Sequence, residues 1–448
     1  MSNGFTYTHQ GGFLLNFNPK LSWECLSSEE ILSKSIRALR NHIKHVKEVS
    51  PYYKESLWDI APEDIKKIDD FNRLPFTDRK MLAERTGSFT AVSPREVVET
   101  VATAGATGRP VFCPLTANDI ERLAFSEALS FHGMGISADD RALLFLDMDR
   151  WSLAGMGCYR GLTLLGVNTG RAGVEAPDLC RQYLETFRPT VLAGAPSFLR
   201  RLALDLEKSA FNFKESGIRK LICVGESLKN RDMAANMIEK RLEDMWGAPA
   251  YDNYTITEIN DSFCECSERK GGHTHPELIY AEIVDNHGGP VPDGTPGELV
   301  ATTLGIEGMP LVRYKTGDIT FRVPGTCACG RNSARIGPIL GRANEIIRTK
   351  KGLHVYPLTI TNALDEMDEI NDYVIILEND DADSDRFTIH VATKPSAIEK
   401  IANHVRSVAQ VGFPILISNI STIQSMRGNW RRQVRIVDWR QQSQRGRQ

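Results

Sequence analysis

The run VVETVATAGATGRP, residues 97–110, passes from alternating β-branched residues into a loop of small and hydroxylated ones. β-Branched residues favour an extended chain, and glycines directly after such a run mark the end of a strand. Working outward, the same rhythm returns in ALLFLDM (142–148), TVLAGA (190–195), KLICVG (220–225) and ELVATTL (298–304). Between these runs, residues 117–133, 176–187, 195–208 and 228–245 read as helices. Strands alternating with helices predict an α/β fold with a largely parallel sheet, whose ligand sites lie at the glycine turns ending the strands. A further helix is expected over residues 28–48, behind serine caps. After Gly341-Arg342 the rhythm changes. EIIRT, DYVIILE, FTIHVAT and QVRIVD read as strands and the stretches near 358–367 and 396–411 as helices, the pattern of a small α+β domain. The expected organisation is a large N-terminal domain of several subdomains, residues 1–341, and a small C-terminal domain, residues 342–448.

Composition narrows the function classes. The chain of 448 residues carries 54 basic and 57 acidic side chains, a formal net charge of −3, and so shows no electrostatic footprint for nucleic acid. The most apolar stretch, residues 141–167, is broken by Asp147, Asp149, Arg150 and Arg160, well short of the roughly 20 apolar residues that span a bilayer. The opening MSNGFTYTHQ has no basic segment leading into an apolar one, so no secretory signal is expected and the chain reads as cytoplasmic. Its nine cysteines, an odd number spread over a long chain, are not a disulfide framework. Five of them, Cys25, Cys113, Cys158, Cys180 and Cys223, are scattered and read as small buried hydrophobes.

The loop after residue 102 has phosphate chemistry. Gly105 and Gly108 let backbone N–H groups approach an anion, Thr103 and Thr107 add hydroxyls, and Arg109 adds a cation. The G-K-[ST] ending of a Walker A loop is absent. Taken alone, the loop reads equally as a plain turn.

Its company decides between the two. TAGATGRP (103–110) resembles the S/T-S/T-G-T-T-G-K-P phosphate loop of the adenylate-forming (AMP-binding, acyl-CoA synthetase) superfamily. DNYTITE (252–258), RYKTGD (313–318) and GRANEIIRTKKGLHVYP (341–357) are similar to three further segments of that superfamily, in the same order. VSPYYKESL…LPFTDR (49–79) resembles the opening of its phenylacetate–CoA ligase-like branch. The resemblance covers about residues 20–440, and it implies ligation in two steps. A carboxylate attacks the α-phosphate of ATP and expels pyrophosphate, and the thiol of CoA then displaces AMP. It also implies roles. Thr103, Gly105, Thr107, Gly108 and Arg109 would cradle phosphates, and Glu258 would carry Mg²⁺ with Thr257 beside it. Gly225, Glu226 and Tyr254 would lie by the purine, Asp318 would grip the ribose, and Arg342 would stand near the nucleotide at a hinge. The substrate would be a small, aryl or other, carboxylic acid. A homodimer is implied by the resemblance alone.

The superfamily's C-terminal adenylation lysine is replaced. Anchoring on VRIVD places Arg432 at its position, and arginine's planar fork is not equivalent to an ammonium. Asn344-Glu345 likewise stands where two aspartates are usual in the hinge. These departures keep two rival readings open: an adenylating enzyme with no CoA step, as in natural-product or deazaflavin-cofactor pathways, and a degenerate nucleotide-binding scaffold.

The remaining four cysteines form two C-x-C pairs, Cys264/Cys266 and Cys327/Cys329. Four sulfur and nitrogen donors suit a closed structural zinc site. ECSERKGGH and CACGR resemble stretches found in part of the same branch, which implies Cys266, His273, Cys327 and Cys329 as the Zn²⁺ ligands, with Cys264 and His275 as spares. Buried thiols without metal are the alternative.

Overall fold

The first long helix, Ser28–Val49, begins at a capping box, in which the Ser27 hydroxyl accepts from the Glu30 N–H while the Glu30 carboxylate accepts from the Ser27 N–H at 3.0 Å. Its apolar stripe of Leu39, Ile43 and Val46 is fully buried. The computed structural model describes residues 17–103, 109–149, 151–348, 354–367, 369–381, 384–409, 413–427 and 435–440. The chain forms two units. The larger comprises Met1–Ser227, Arg241–Thr316 and Phe321–Gly337, the smaller Leu228–Lys240, Gly317–Thr320 and Pro338–Gln448.

The larger unit is built on a sheet of eight strands. In spatial order they are Arg335–Ile336, Gly272–His273, Asp261–Glu265, Ala250–Ile256, Lys220–Val224, Val191–Gly194, Arg141–Phe145 and Asn168–Arg171. Neighbours from Ala250–Ile256 to Asn168–Arg171 pair parallel, and the other pairs are antiparallel. The α/β expectation therefore holds for the runs at 142–148, 190–195 and 220–225.

Two other runs are strands with different partners. Glu99–Ala102 pairs antiparallel with Phe112–Leu115 in a two-stranded ribbon, and Gly297–Thr303 pairs antiparallel with Ile279–Val284. β-Propensity reports an extended backbone, whereas the connection decides the partner, and a short loop makes antiparallel neighbours. The helix expected from residue 228 begins only at Met237, because Asn236 accepts from the Glu239 N–H at 3.0 Å in the manner of a cap and Met233 takes a left-handed φ of 67°.

Helices Ala117–Gly133 and Leu153–Leu164 pack closely in the larger unit. A Cβ at Gly161 would stand 2.4 Å from the Glu127 Cβ, and one at Gly157 would stand 3.3 Å from Glu127 Oε1, so these glycines make room for a buried glutamate. Asn253 Nδ2 donates to Glu127 Oε2 at 3.3 Å.

The smaller unit carries a four-stranded sheet in the order Ile415–Ile417, Ser384–Ala392, Asp372–Asp381 and Ile436–Asp438. Ile375, Leu377, Ile389 and Val391 pack there with Leu364, Ile401 and Val405. Arg440 bonds Asp438 at 2.9 Å, pairs with Asp385 at 3.1 Å, and donates to the carbonyls of Ile346 and Asn344, which ties the stretch after Arg342 to this sheet. Among the described residues, no helix is long and apolar enough to cross a membrane.

Burial, the largest influence on Glu127, pushes its carboxyl from 4.5 up to about 7, against the hydrogen bond from Asn253. The folded chain therefore keeps a proton that the unfolded chain releases as pH rises between those values, and stability declines by about 3 kcal/mol across that window. Glu127→Gln removes this pH dependence. Thermal melts should show the variant gaining on the native protein at pH 8 relative to pH 5, and a difference independent of pH would contradict the assignment.

Candidate functional site

Thr77–Asp78 pairs parallel with Tyr314–Lys315, and Asp78 caps the helix Arg79–Phe89 by accepting from the Met81 N–H at 2.8 Å. Arg79 is thus the first residue of a helix whose start is fixed from both sides. Its guanidinium joins two of the residues singled out in the sequence: Nη1 donates to Glu258 Oε1 at 3.1 Å and Nη2 donates to Thr103 Oγ1 at 2.7 Å. The Tyr314 hydroxyl donates to the same Glu258 oxygen at 3.0 Å. Burial, and then the nearby Glu258 charge, pushes that phenol well above its ordinary range, so it is a donor at any working pH. Thr103 Oγ1 also accepts from the Val111 N–H at 3.0 Å. A carboxylate, a hydroxyl and a cation therefore meet at one point of the larger unit.

Other expected residues lie at strand ends of the same unit. Tyr254 is half-buried on Ala250–Ile256 with its ring tilted against Phe263 at 5.9 Å, and Thr257 opens the turn that brings Glu258 round. Gly225 ends its strand at a φ of 88°, a conformation that favours glycine. Glu226 accepts from Ser197 N at 3.1 Å and Ser197 Oγ at 2.5 Å, at the start of helix Pro196–Lys208, where the helix dipole suits a carboxylate. Arg109 is exposed. Gly105, Thr107, Gly108 and Arg432 lie outside the described residues. In the smaller unit, Asp318 is buried and stands opposite Arg342 in antiparallel register, with Arg342 Nε 3.6 Å from Asp318 Oδ1.

The cysteine pairs converge. The ligand atoms of Cys266, His273, Cys327 and Cys329 all lie within 4.8 Å of one another and could hold a metal ion. Cys266 Sγ is 3.6 Å from Cys327 Sγ, and Cys329 Sγ is 3.5 Å from His273 Nε2. His273 Nδ1 meets Ser333 Oγ at 2.9 Å, Ser333 Oγ donates to Glu24 at 3.2 Å, and Arg331 pairs with Glu24 at 3.2 Å. Burial opposes ionisation of Cys329, but hydrogen bonds from His273 and Arg331 outweigh it and bring the thiol down to about 5. Burial pushes Cys266 up to about 12. A cation held by this group would keep both thiols deprotonated. Cys264 and His275 stand outside the cluster: Cys264 donates to Ser262 Oγ at 3.7 Å, and His275 meets Ser130 at 3.0 Å. Of the five scattered cysteines four are buried, but Cys25 is exposed, because it ends a short turn at the surface instead of joining a core strand.

The residues missed in the sequence are Arg79, Tyr314, Glu24, Ser333 and Arg331. Arg79 ends LPFTDR and Tyr314 is second in RYKTGD, so a cation and a phenol stood inside motifs already quoted. Glu24 carried no such signal. An open groove of about 540 Å³, lined in part by Met148, Met156, Tyr159, Arg160 and Arg171, contains none of the expected residues.

Residues 31–306 match the AMP-binding enzyme family. This chain belongs to that family. The AMP-binding match extends through Glu258 and stops short of the strand holding Tyr314 and Asp318. The chain is 28% identical over 400 residues to a phenylacetate–coenzyme A ligase of Thermus thermophilus, covering 87% of each. A phenylacetate–coenzyme A ligase of Escherichia coli is 26% identical, over 93% of this chain and 97% of that protein. Among solved structures, a 2-hydroxyisobutyryl-CoA ligase in complex with R3-HIB-AMP superposes with a TM-score of 0.82 at 21% identity, over 100% of this chain and 98% of that one.

Proposed function

We propose that this AMP-binding enzyme is an AMP-forming acid–CoA ligase, acting through an acyl-adenylate on a small, aryl or other, carboxylic acid. The observation that carries the reading is the meeting of Glu258, Thr103 and Arg79, a buried carboxylate joined through a cation to the residue that opens the glycine-rich run. A carboxylate is a poor acyl donor until one of its oxygens becomes a leaving group. In the first step that oxygen bonds to the α-phosphorus of ATP and the bond to pyrophosphate breaks. In the second, the CoA sulfur bonds to the acyl carbon and AMP leaves. Both partners of the first step are anions, so the site must supply positive charge and N–H dipoles.

Thr103, Gly105, Thr107, Gly108 and Arg109 take the phosphates. Asp318 accepts from the ribose hydroxyls with Arg342 alongside, Gly225, Glu226 and Tyr254 border the purine, and Thr257 stands beside Glu258. Glu258 suits Mg²⁺, which needs only one or two protein carboxylates beside substrate phosphates and would neutralise the triphosphate. Arg432 supplies the C-terminal cation in place of lysine, and residues 342–448 serve as the mobile domain between the two steps. Cys266, His273, Cys327 and Cys329 suit Zn²⁺. Three thiolates and an imidazole are a donor set that zinc prefers, and two of their separations, 3.6 and 3.5 Å, are short enough for the donors to share one ion. Bound there, the metal would brace the stretch after Glu258 against the loop of Cys327 and Cys329.

ATP–pyrophosphate exchange across a panel of aryl and short aliphatic acids, with and without CoA, tests the function. Acid-dependent exchange that becomes net AMP and thioester formation on adding CoA is the expected result. Exchange without thioester would replace the ligase reading with that of an adenylating enzyme lacking the CoA step. Asp318→Ala should weaken ATP binding by about tenfold to a hundredfold, since hydrogen bonds to a charged acceptor are among the stronger ones, and unchanged affinity would remove the ribose role. Elemental analysis should find about one zinc per chain, lost in Cys327→Ser together with thermal stability.

A further inference from the structure

We propose that Arg79 belongs to the nucleotide-phosphate site, its guanidinium passing from the Glu258 carboxylate to the β- and γ-phosphate oxygens when ATP enters. The inference rests on the ligase reading and adds to it a residue that the sequence motifs leave without a role.

Position is the first argument. Arg79 lies between the residue that opens the glycine loop and the carboxylate assigned to the divalent cation, bonding Thr103 Oγ1 at 2.7 Å and Glu258 Oε1 at 3.1 Å. Its backbone is held by the Asp78 cap and the pairing of Thr77–Asp78 with Tyr314–Lys315, so only the long side chain has to move. The side chain is 28% exposed where Glu258 is 8% exposed, so the cation faces the open side of the pair.

Charge is the second argument. An unpaired buried carboxylate is costly, and Arg79 offsets that cost while the site is empty. With Glu258 holding a divalent cation, the guanidinium would be free to turn to an incoming polyphosphate. The five N–H donors of arginine, in a fork matched to phosphate oxygens, then find a stronger partner there. The Tyr314 hydroxyl stays on Glu258 Oε1 and keeps the carboxylate aimed throughout.

A brace between loop and carboxylate would give the same bonds in the empty protein, and the phosphates separate the two cases. Calorimetric titrations of the full chain with Mg-ATP and with AMP should compare the native protein, Arg79→Met and Arg79→Lys. Arg79→Met should lose about tenfold to a hundredfold in Mg-ATP affinity and at most about twofold for AMP, which lacks the β- and γ-phosphates. Arg79→Lys should recover part of the loss, and in pyrophosphate exchange both variants should raise the KM for ATP while leaving that for the acid. Equal losses for the two nucleotides, or no loss for Mg-ATP, would overturn the proposal. Should Arg79→Met fail to fold, the same contrast in Arg79→Lys decides. A native protein that binds neither nucleotide would overturn the ligase reading itself, a result distinguishable from failure of the Arg79 assignment alone.

Discussion

A single buried guanidinium fixes the framework around the candidate site. Arg122, 3% exposed on the helix Ala117–Gly133, donates to the carbonyl of Asn260 at 2.6 Å, of Leu278 at 2.5 Å and of Leu304 at 2.8 Å, and lies 3.3 Å from Asp261 Oδ2. Each carbonyl stands just outside regular structure; that of Leu278 also accepts from the Leu304 N–H at 2.7 Å, and a carbonyl left unpaired in this interior would be costly. Asn260 closes the turn after Glu258, Leu278 precedes the strand Ile279–Val284, and Leu304 follows Gly297–Thr303. One helix thereby holds the Glu258 turn against two strands of another sheet. Burying the charge is itself expensive, and Asp261 on the neighbouring strand offsets part of that cost.

The same device recurs where Tyr314 is set. Arg313 takes a left-handed φ of 46°, donates to Glu282 at 2.9 Å and to the Leu74 carbonyl at 2.7 Å, and is 2% exposed. Its neighbour Tyr314 is then fixed in register with Thr77, which delivers the phenol to Glu258 from one side and Arg79 from the other. The cysteine cluster follows this logic too. Its imidazole is oriented by Ser333, Ser333 by Glu24, and Glu24 also holds Arg331, so the amino-terminal turn Trp23–Cys25 is part of the knuckle. Such outer contacts decide how sharply a donor set is aimed.

Much of this was legible in residues close together in sequence. Apolar runs bounded by glycine located the parallel strands Arg141–Phe145, Val191–Gly194 and Lys220–Val224 but not Asn168–Arg171 or Ala250–Ile256, and the paired cysteines with His273 pointed to the cluster that the fold brings together. What could not be read is pairing across distance. Arg79 and Glu258 are 179 positions apart, and Glu24 and Ser333 are 309 apart, so no local pattern joins them. The partners of Glu99–Ala102 and Gly297–Thr303 were hidden for a related reason, since an extended backbone is encoded locally and its neighbour is not. The helix expected over 228–245 lost its first turns to Asn236, a capping side chain inside an otherwise helical pattern.

Exposure sorts the arginines by what they are for. Arg122 and Arg313, at 3% and 2%, are surrounded by carbonyls and carboxylates of the protein, and their charge is consumed in holding the fold. Arg342, at 48%, keeps much of its surface in water beside Asp318, and Arg109 is exposed at the end of the glycine loop. Arg79 falls between the two groups at 28%, with bonds to the protein and a face to solvent. A guanidinium enclosed on all sides cannot exchange partners without leaving an unpaired charge in a low-dielectric interior, whereas one open to water can trade a carboxylate for a phosphate at little cost. Substitution of the enclosed arginines therefore tests folding, and substitution of the open ones tests binding. Placing Arg79 in the second group follows from its exposed face, since its backbone is as rigid as that of the first.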